Sequence, residues 1–329
     1  MNFLKARNVS QALIKGLVMI HDNGNLQDSR VGQVLVMDGP TTILYERPKE
    51  RVLFYPERNA NPFFHFMEGL WMIAGRNDVA WISQFNSNME SFTDDGKVFH
   101  GAYGHRWRYH FEMDQLAIIA DLLKANPDDR RCVLQMWDPV VDLGQNGKDF
   151  PCNTTIYFRV SMAGKLDMMV GNRSNDIIWG TFGANVVHMS MMQEYMAARI
   201  GIPVGRYWQT SMNMHLYTEH LEKYPQLLFV DYEEASDRYN SIDPYPMVNS
   251  SIEEWDQDLM MFMTEGPLVG FHDRFFKRVV SPIYQSWMAY KNRDDPDRFE
   301  KAKVLALNCS ANDWRMACYE WLVRLENKS

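Results

Sequence analysis

Long apolar runs are missing from this sequence. None approaches the roughly 18 residues that span a bilayer, and the opening stretch MNFLKARNVSQ carries no apolar block of the kind that directs secretion. Cysteine is scarce, with four residues (Cys132, Cys152, Cys309 and Cys318) in a chain of 329. That is too few for a disulfide scaffold, so reduced thiols and a cytoplasmic setting are expected. Positive charge is not in excess: the net charge is −8, which disfavours a broad nucleic-acid-binding face and leaves room only for a local arginine cluster. Internal repeats, low-complexity tracts and flexible linkers are absent as well. His and Cys never fall at ligand spacing, so no metal is expected.

What is present is an ordinary globular inventory. Hydrophobic residues make up 46% and aromatics 13%, enough apolar surface to offset chain entropy. Length alone suggests two domains at about 150 residues each. The lack of a linker favours one domain over residues 1–329. Two helices are predicted. Over 63–74, Phe63, Phe66, Met67, Leu70 and Trp71 form one apolar stripe with Glu68 inside the segment. Over 185–200 the segment is nearly all apolar and stops before Gly201 and Pro203. Strands are predicted at 132–137, 154–160 and 166–170, the last two flanking the turn Ala163-Gly164-Lys165. The order suggests an α+β layout with one sheet covered by helices. His188 reads as a core histidine or one standing behind a site, and the 23 methionines as flexible core filler.

Chemistry points to Pro151-Cys152-Asn153, where a cysteine stands between a Gly/Asp loop and a strand. A lone cysteine of this kind is more often inert than catalytic. Its company matters more: Arg173-Ser174-Asn175-Asp176 downstream, Asp129-Arg130-Arg131 upstream and an isolated Arg30 further back. Arginines offer planar forks for phosphate and lower a thiol pKa when they surround it. Surface arginines in ion pairs are the plainer alternative.

The runs PCNTTIYFRV, GKLDMMVGNRSNDIIWGTFGANVVHMSMMQEYMA and MNMHLYTEHLE, together with DSRVG, EGLW, YGHRW and DRRCVLQMWDP, cover about residues 28–220. In that order they resemble the thymidylate synthase superfamily, which includes the phage-type deoxypyrimidine monophosphate hydroxymethylases. The resemblance implies an α/β (α+β) fold on a large mixed sheet, in a homodimer packed sheet to sheet. It implies a pyrimidine nucleoside monophosphate and 5,10-methylenetetrahydrofolate as substrates, with no nucleic-acid or membrane partner. By the same resemblance Cys152 is the nucleophile that adds to carbon 6, Glu68 organises proton transfers, and Tyr103 belongs to the water network at carbon 5. Arg30, Arg173 and Ser174 are phosphate ligands, while Arg130 and Arg131 reach the phosphate of a partner's site. Asp176 contacts the pterin, His215 and Tyr217 the sugar 3′-hydroxyl, and Asn185 the base.

The sequence departs from the methyl-forming synthases in four places. Residues 82–106 contain no tryptophan where those enzymes shield the methylene intermediate; the local match falls near Met89 or Glu90, and Trp81 stands earlier. An unshielded methylene is open to water, which favours a hydroxymethyl product. The stretch Gly180 to Asn185 is one residue longer than usual, so either a bulge keeps Asn185 at the base or Ala184 takes its place. Asparagine there favours uracil, since its amide donates to O4 and accepts from N3–H; cytosine-specific relatives tend to carry aspartate. Asn153 follows the nucleophile where the synthases have histidine. The C-terminus CYEWLVRLENKS does not match the tail that closes over folate, and 221–329 matches only weakly. Thymidylate synthase proper, a dCMP or CMP hydroxymethylase and a non-catalytic nucleotide- or RNA-binding homologue are the competing expectations.

Overall fold

Two sheets, rather than the single one expected, make up the β-structure of the computed structural model, which describes residues 2–29, 31–223, 225–267 and 270–328 (without the side chains of Leu227 and Phe229). The larger sheet has the strand order β1 (Asn2–Ala6), β4 (Thr41–Tyr45), β9 (Val204–Ser211), β7 (Leu166–Asn172), β6 (Asn153–Val160) and β5 (Val133–Gln135). It is mixed: β1/β4 and β7/β9 run parallel, and the other pairs antiparallel. The smaller sheet orders β2 (Gly24–Ser29), β3 (Gly32–Met37), β10 (Met214–Tyr217) and β8 (Asn175–Asp176). Its strands are short; β2 is polar, with five of six residues exposed, and β8 and β10 have two and four residues, too few to establish a two-residue period.

The helices are α1 (Val9–Asn23), α2 (Pro62–Ile73), α3 (Val79–Ile82), α4 (Tyr103–Arg108), α5 (Gln115–Ala125), α6 (Asn185–Ile200), α7 (Thr218–Lys223), α8 (Ile252–Glu265), α9 (Ser281–Lys291), α10 (Arg298–Leu307) and α11 (Asn312–Glu326). Asn61 caps α2 by accepting from the Phe64 N–H, and Pro62 opens it. The stripe Phe63, Phe66, Met67, Leu70 and Trp71 is buried. It packs against α6, which lies on the sheet. The C-terminal helices extend this core. Phe63 meets Trp287 and Trp321 at ring-centroid distances of 5.4 and 5.7 Å, and Phe66 meets Trp314 at 5.0 Å.

Both predicted helices are found within a residue of their expected ends. The β6–β7 hairpin turns at Gly164, whose φ of +68° needs glycine. The strand expected over 132–137 shortens to Val133–Gln135. Along β6 and β9 burial alternates. Ile156, Phe158 and Tyr207 face the helices; Tyr157, Arg159 and Arg206 face outward. That outer face bears a groove of about 690 Å³ lined in part by Arg130, Tyr157, Arg159, Met169 and Trp208. Among the described residues no helix is long and apolar enough to cross a membrane.

Candidate active site

Cys152 sits at the entrance to β6, beside a register shift between Asn153 and Thr155, the kind of irregularity that re-aims a side chain. Tyr103, at the start of α4, holds this turn. Its hydroxyl oxygen accepts the backbone N–H groups of Cys152 and Asn153 at 3.1 and 3.2 Å. With both acceptor positions used, the tyrosine proton is the part left to point elsewhere. Burial pushes the Tyr103 pKa well up, so the hydroxyl stays protonated.

Arg173 braces the same turn from the end of β7. Its backbone N–H donates to the Cys152 carbonyl at 2.9 Å, and its guanidinium donates to the carbonyls of Pro151 and Phe150 at 3.0 and 3.1 Å. Arg173 pulls the Cys152 thiol towards the thiolate, but burial and the nearby Asp149 push it further the other way, so the net shift is upward. Among the described residues Arg173 is the arginine acting on this thiol, and in the single chain burial outweighs it.

Arg130 and Arg131 stand elsewhere. Arg130 is exposed and lines the groove on the outer sheet face, a cavity that contains no other proposed site residue. Arg131 is 79% exposed and clamps Asp129 at 2.6 Å. Arg30 lies outside the described residues. Ser174 is half-buried in the turn between β7 and β8.

The one-residue surplus before Asn185 is taken up by a wide π-helical segment, Ile177–Ala184, kinked at Phe182 (φ −109°, ψ 15°) and Gly183 (φ −117°, ψ −114°). A π turn holds one extra residue, so it is the helical equivalent of the expected bulge. Asn185 then begins α6 and donates from Nδ2 to Asn175 Oδ1 at 3.1 Å. Gly180 makes this possible, because a Cβ there would lie 2.1 Å from Asn175 Oδ1.

Asp176 caps the π segment through the Trp179 N–H at 2.6 Å, while its Oδ2 is buried without a direct hydrogen bond among the described residues. Burial pushes its pKa up to about 6, against the pull of the Trp179 N–H and the Arg58 charge. His215 pairs in register with Asp176 across β8 and β10, and its Nδ1 meets Asn213 Oδ1 at 3.0 Å. The Tyr217 ring packs edge-on to His215 at 5.3 Å. This half of the site belongs to the smaller sheet.

Glu68 points from α2 towards α6, where its Oε2 lies 3.1 Å from His188 Nε2. His188 was expected in the core or behind a site, and it is 3% exposed. Other participants escaped the sequence reading. Asp149 accepts the Gly101 N–H at 3.0 Å, and burial pushes its pKa up. The Trp179 indole is half exposed, stacks under Arg58 at 4.7 Å and donates to His220 Nε2 at 2.8 Å. Asn153 is fully buried and accepts from Asn172. Only the position of Asn153, directly after the cysteine, signalled a role. Trp81 is packed into the core against Phe85 and Phe262, at 5.0 and 6.2 Å, with Arg76 over its other face. Among the described residues no group of three His, Cys, Asp or Glu side chains is placed to hold a metal.

Comparison with known proteins shows the family. The thymidylate synthase family model matches residues 17–237. A deoxyuridylate hydroxymethyltransferase of Pseudomonas phage M6 is 48% identical, covering 98% of this chain and 94% of the relative. Enzymes of the same name from Bacillus phage SP01 and Delftia phage PhiW-14 are 32% and 28% identical, covering 88% and 66% of this chain and 82% and 62% of their own lengths. On the family match and the near full-length identity, the chain belongs to the thymidylate synthase family.

Proposed function

We propose that this chain transfers a hydroxymethyl group to carbon 5 of dUMP: dUMP, 5,10-methylenetetrahydrofolate and water give 5-hydroxymethyl-dUMP and tetrahydrofolate. The setting is nucleotide modification in the cytoplasm of a phage-infected cell. The observation that carries the choice of product is the position of Trp81. Its ring is held in the core by Phe85 and Phe262, and residues 82–106 supply no other tryptophan to cover the reacting carbon. The names of the phage relatives support the same reading.

Carbon 5 of a pyrimidine is a poor nucleophile. Addition of the Cys152 sulfur to carbon 6 turns it into an enolate carbon that attacks a one-carbon electrophile. Burial raises the thiol pKa in the free chain, so its proton must leave to solvent as the nucleotide docks, and the thiolate is then held by Arg173 through the lower dielectric of the filled site. Tyr103 stays neutral and holds its proton towards carbon 5, where it orders water. Glu68 takes and returns protons at the ring. Asn185 reads uracil through its amide, while His215 and Tyr217 hold the 3′-hydroxyl. Arg30, Arg173 and Ser174 hold the phosphate together with Arg130 and Arg131 of a second copy, in a homodimer joined through the outer sheet face.

The buried Oδ2 of Asp176, which has no short, direct hydrogen bond among the described residues, fits the N–H groups of a pterin, which would also hold this carboxyl ionised. Folate, when bound, supplies a one-carbon unit at the oxidation level of formaldehyde.

Mass spectrometry of the products from dUMP, dCMP and CMP with methylenetetrahydrofolate tests the reading. The expected product is 5-hydroxymethyl-dUMP with tetrahydrofolate. Stoichiometric dihydrofolate with dTMP, or turnover of dCMP but not dUMP, overturns it.

A further inference from the structure

The contact between Glu68 and His188 is the feature that the proposed chemistry has not used. His188 Nε2 and Glu68 Oε2 lie 3.1 Å apart, with the side chains 3% and 14% exposed. The two atoms touch without aligning as a hydrogen bond, and neither has another partner among the described residues. Unpaired polar atoms this deep are costly unless a function holds them. Both flanking helices are shaped around the pair. On α2, Gly69 lets α6 close in, since a Cβ there would lie 2.5 Å from Met191 Sδ and 3.7 Å from His188 Cδ2. His65, three residues before Glu68, is buried, and its pKa is pushed well down by burial and by Arg58 and His188. It therefore stays neutral and does not compete for the carboxylate. On α6, Asn185 and His188 are three residues apart and share a helix face. One rigid helix thus ties the base-reading amide to the imidazole that meets Glu68.

We propose that His188 is a positioning residue for the water-addition step: by engaging Glu68 Oε2 it turns the other carboxylate oxygen into the acceptor for the proton of the attacking water. The proposal rests on the hydroxymethylation reading above. In that step a water oxygen bonds to the methylene carbon on carbon 5, and the π pair of that methylene moves into the carbon 4 enolate. The enolate pair then rebuilds the carbon 5–carbon 6 double bond as the carbon 6–sulfur bond breaks. Cys152 leaves as thiolate, the water proton goes to Glu68, and no oxidant or reductant is needed. A positioned general base contributes about 100-fold or more. Without it, nucleophiles that need no base gain on water.

The test runs the enzyme on dUMP and methylenetetrahydrofolate with added 2-mercaptoethanol and measures the ratio of 5-hydroxymethyl to thioether product. A parallel assay without folate follows release of tritium from carbon 5 of dUMP, which reports Cys152 addition and proton exchange at carbon 5 with no methylene and no water-addition step. For His188→Phe the ratio should shift at least about tenfold towards thioether, while tritium release stays near the wild-type rate. His188→Gln, which keeps an N–H donor, should recover much of the alcohol. If His188→Phe does not fold, His188→Asn, too short to reach Glu68, takes its place. An unchanged ratio, a parallel loss of tritium release, or a glutamine variant no better than phenylalanine overturns the proposal. A wild-type enzyme that makes no alcohol from dUMP overturns the underlying reading instead.

Discussion

The two faces of the six-stranded sheet carry the same kind of residue to opposite ends. On the helix-covered face the arginines are committed: Arg51 pairs with Glu194, Arg106 with Asp142 at 2.6 Å, and Arg58 donates to the Ile178 carbonyl at 2.8 Å. On the open face they are spread over exposed aromatic surface. Arg206 and Arg159 lie over Trp208 at 4.9 and 5.9 Å, Tyr157 is 45% exposed, and Arg130 stands at the groove with no ion pair among the described residues. A buried arginine without a partner costs several kcal/mol, so the covered face fixes structure. The open face keeps its arginines at the surface: Arg159 and Arg206 share Asp167 at 3.1 and 3.5 Å, while Arg130 stands beside the apolar groove with no such pair among the described residues. In the proposed enzyme the chemistry sits at the edge of one face and part of the phosphate binding on the other, and a second copy joins them.

The largest effect is expected at the reacting edge. Cys152→Ala should abolish turnover, a loss of about 10⁴-fold or more, read as absence of 5-hydroxymethyl-dUMP. Residual turnover near wild type would remove the covalent step. Next, Arg130→Ala with Arg131→Ala should raise the KM for dUMP by about 10- to 100-fold through two lost charge-assisted contacts, while the reactivity of Cys152 towards iodoacetamide stays unchanged. Trp208→Lys should convert a dimer to a monomer in analytical ultracentrifugation, because it would bury a further positive charge beside Arg159 and Arg206 at the interface. Activity should fall with it.

The smallest effect concerns stability. The Asp176 pKa is raised from 3.8 to about 6, roughly two units. Folding therefore favours the protonated form, and its destabilising effect accrues as pH rises through about 4 and is complete above about 6. Asp176→Asn should raise the melting temperature at pH 7, by about 1–3 kcal/mol of stability, and should lower activity. No gain at pH 7, or the same gain at pH 3, would show that this carboxyl is not held in the neutral form.

Much of this was readable from residues alone, for physical reasons. The α2 stripe and α6 are long, strongly periodic and nearly fully buried, so their pattern survives any tertiary context. The turn at Gly164 and the cysteine between loop and strand are also local signals. What stayed hidden is non-local. Strand β2 of the four-stranded sheet is polar and exposed, so nothing in Asn25 to Ser29 marks it as a strand, and β8 and β10 are too short to show a period. The apposition of Glu68 and His188 depends on α2 and α6 closing over Gly69, which no spacing reveals. The thiol's raised pKa reflects its burial rather than the count of nearby arginines. The π segment was foreseeable only as a surplus residue between Gly180 and Asn185, not as a conformation.

Subunit mixing measures the central claim most directly. Cys152→Ala and the Arg130→Ala/Arg131→Ala variant are each purified, then mixed under conditions that let subunits exchange. If the open face of one copy completes the reacting edge of the other, a hybrid dimer contains one site with both defects and one with neither. Assayed at dUMP well below the wild-type KM, where the arginine variant alone is nearly inactive, the account predicts recovery of about a quarter of wild-type activity at complete exchange, since half the dimers are hybrids with one intact site each. No recovery, with exchange verified by mass spectrometry of differently tagged subunits, would contradict it and return the two arginines to their own chain.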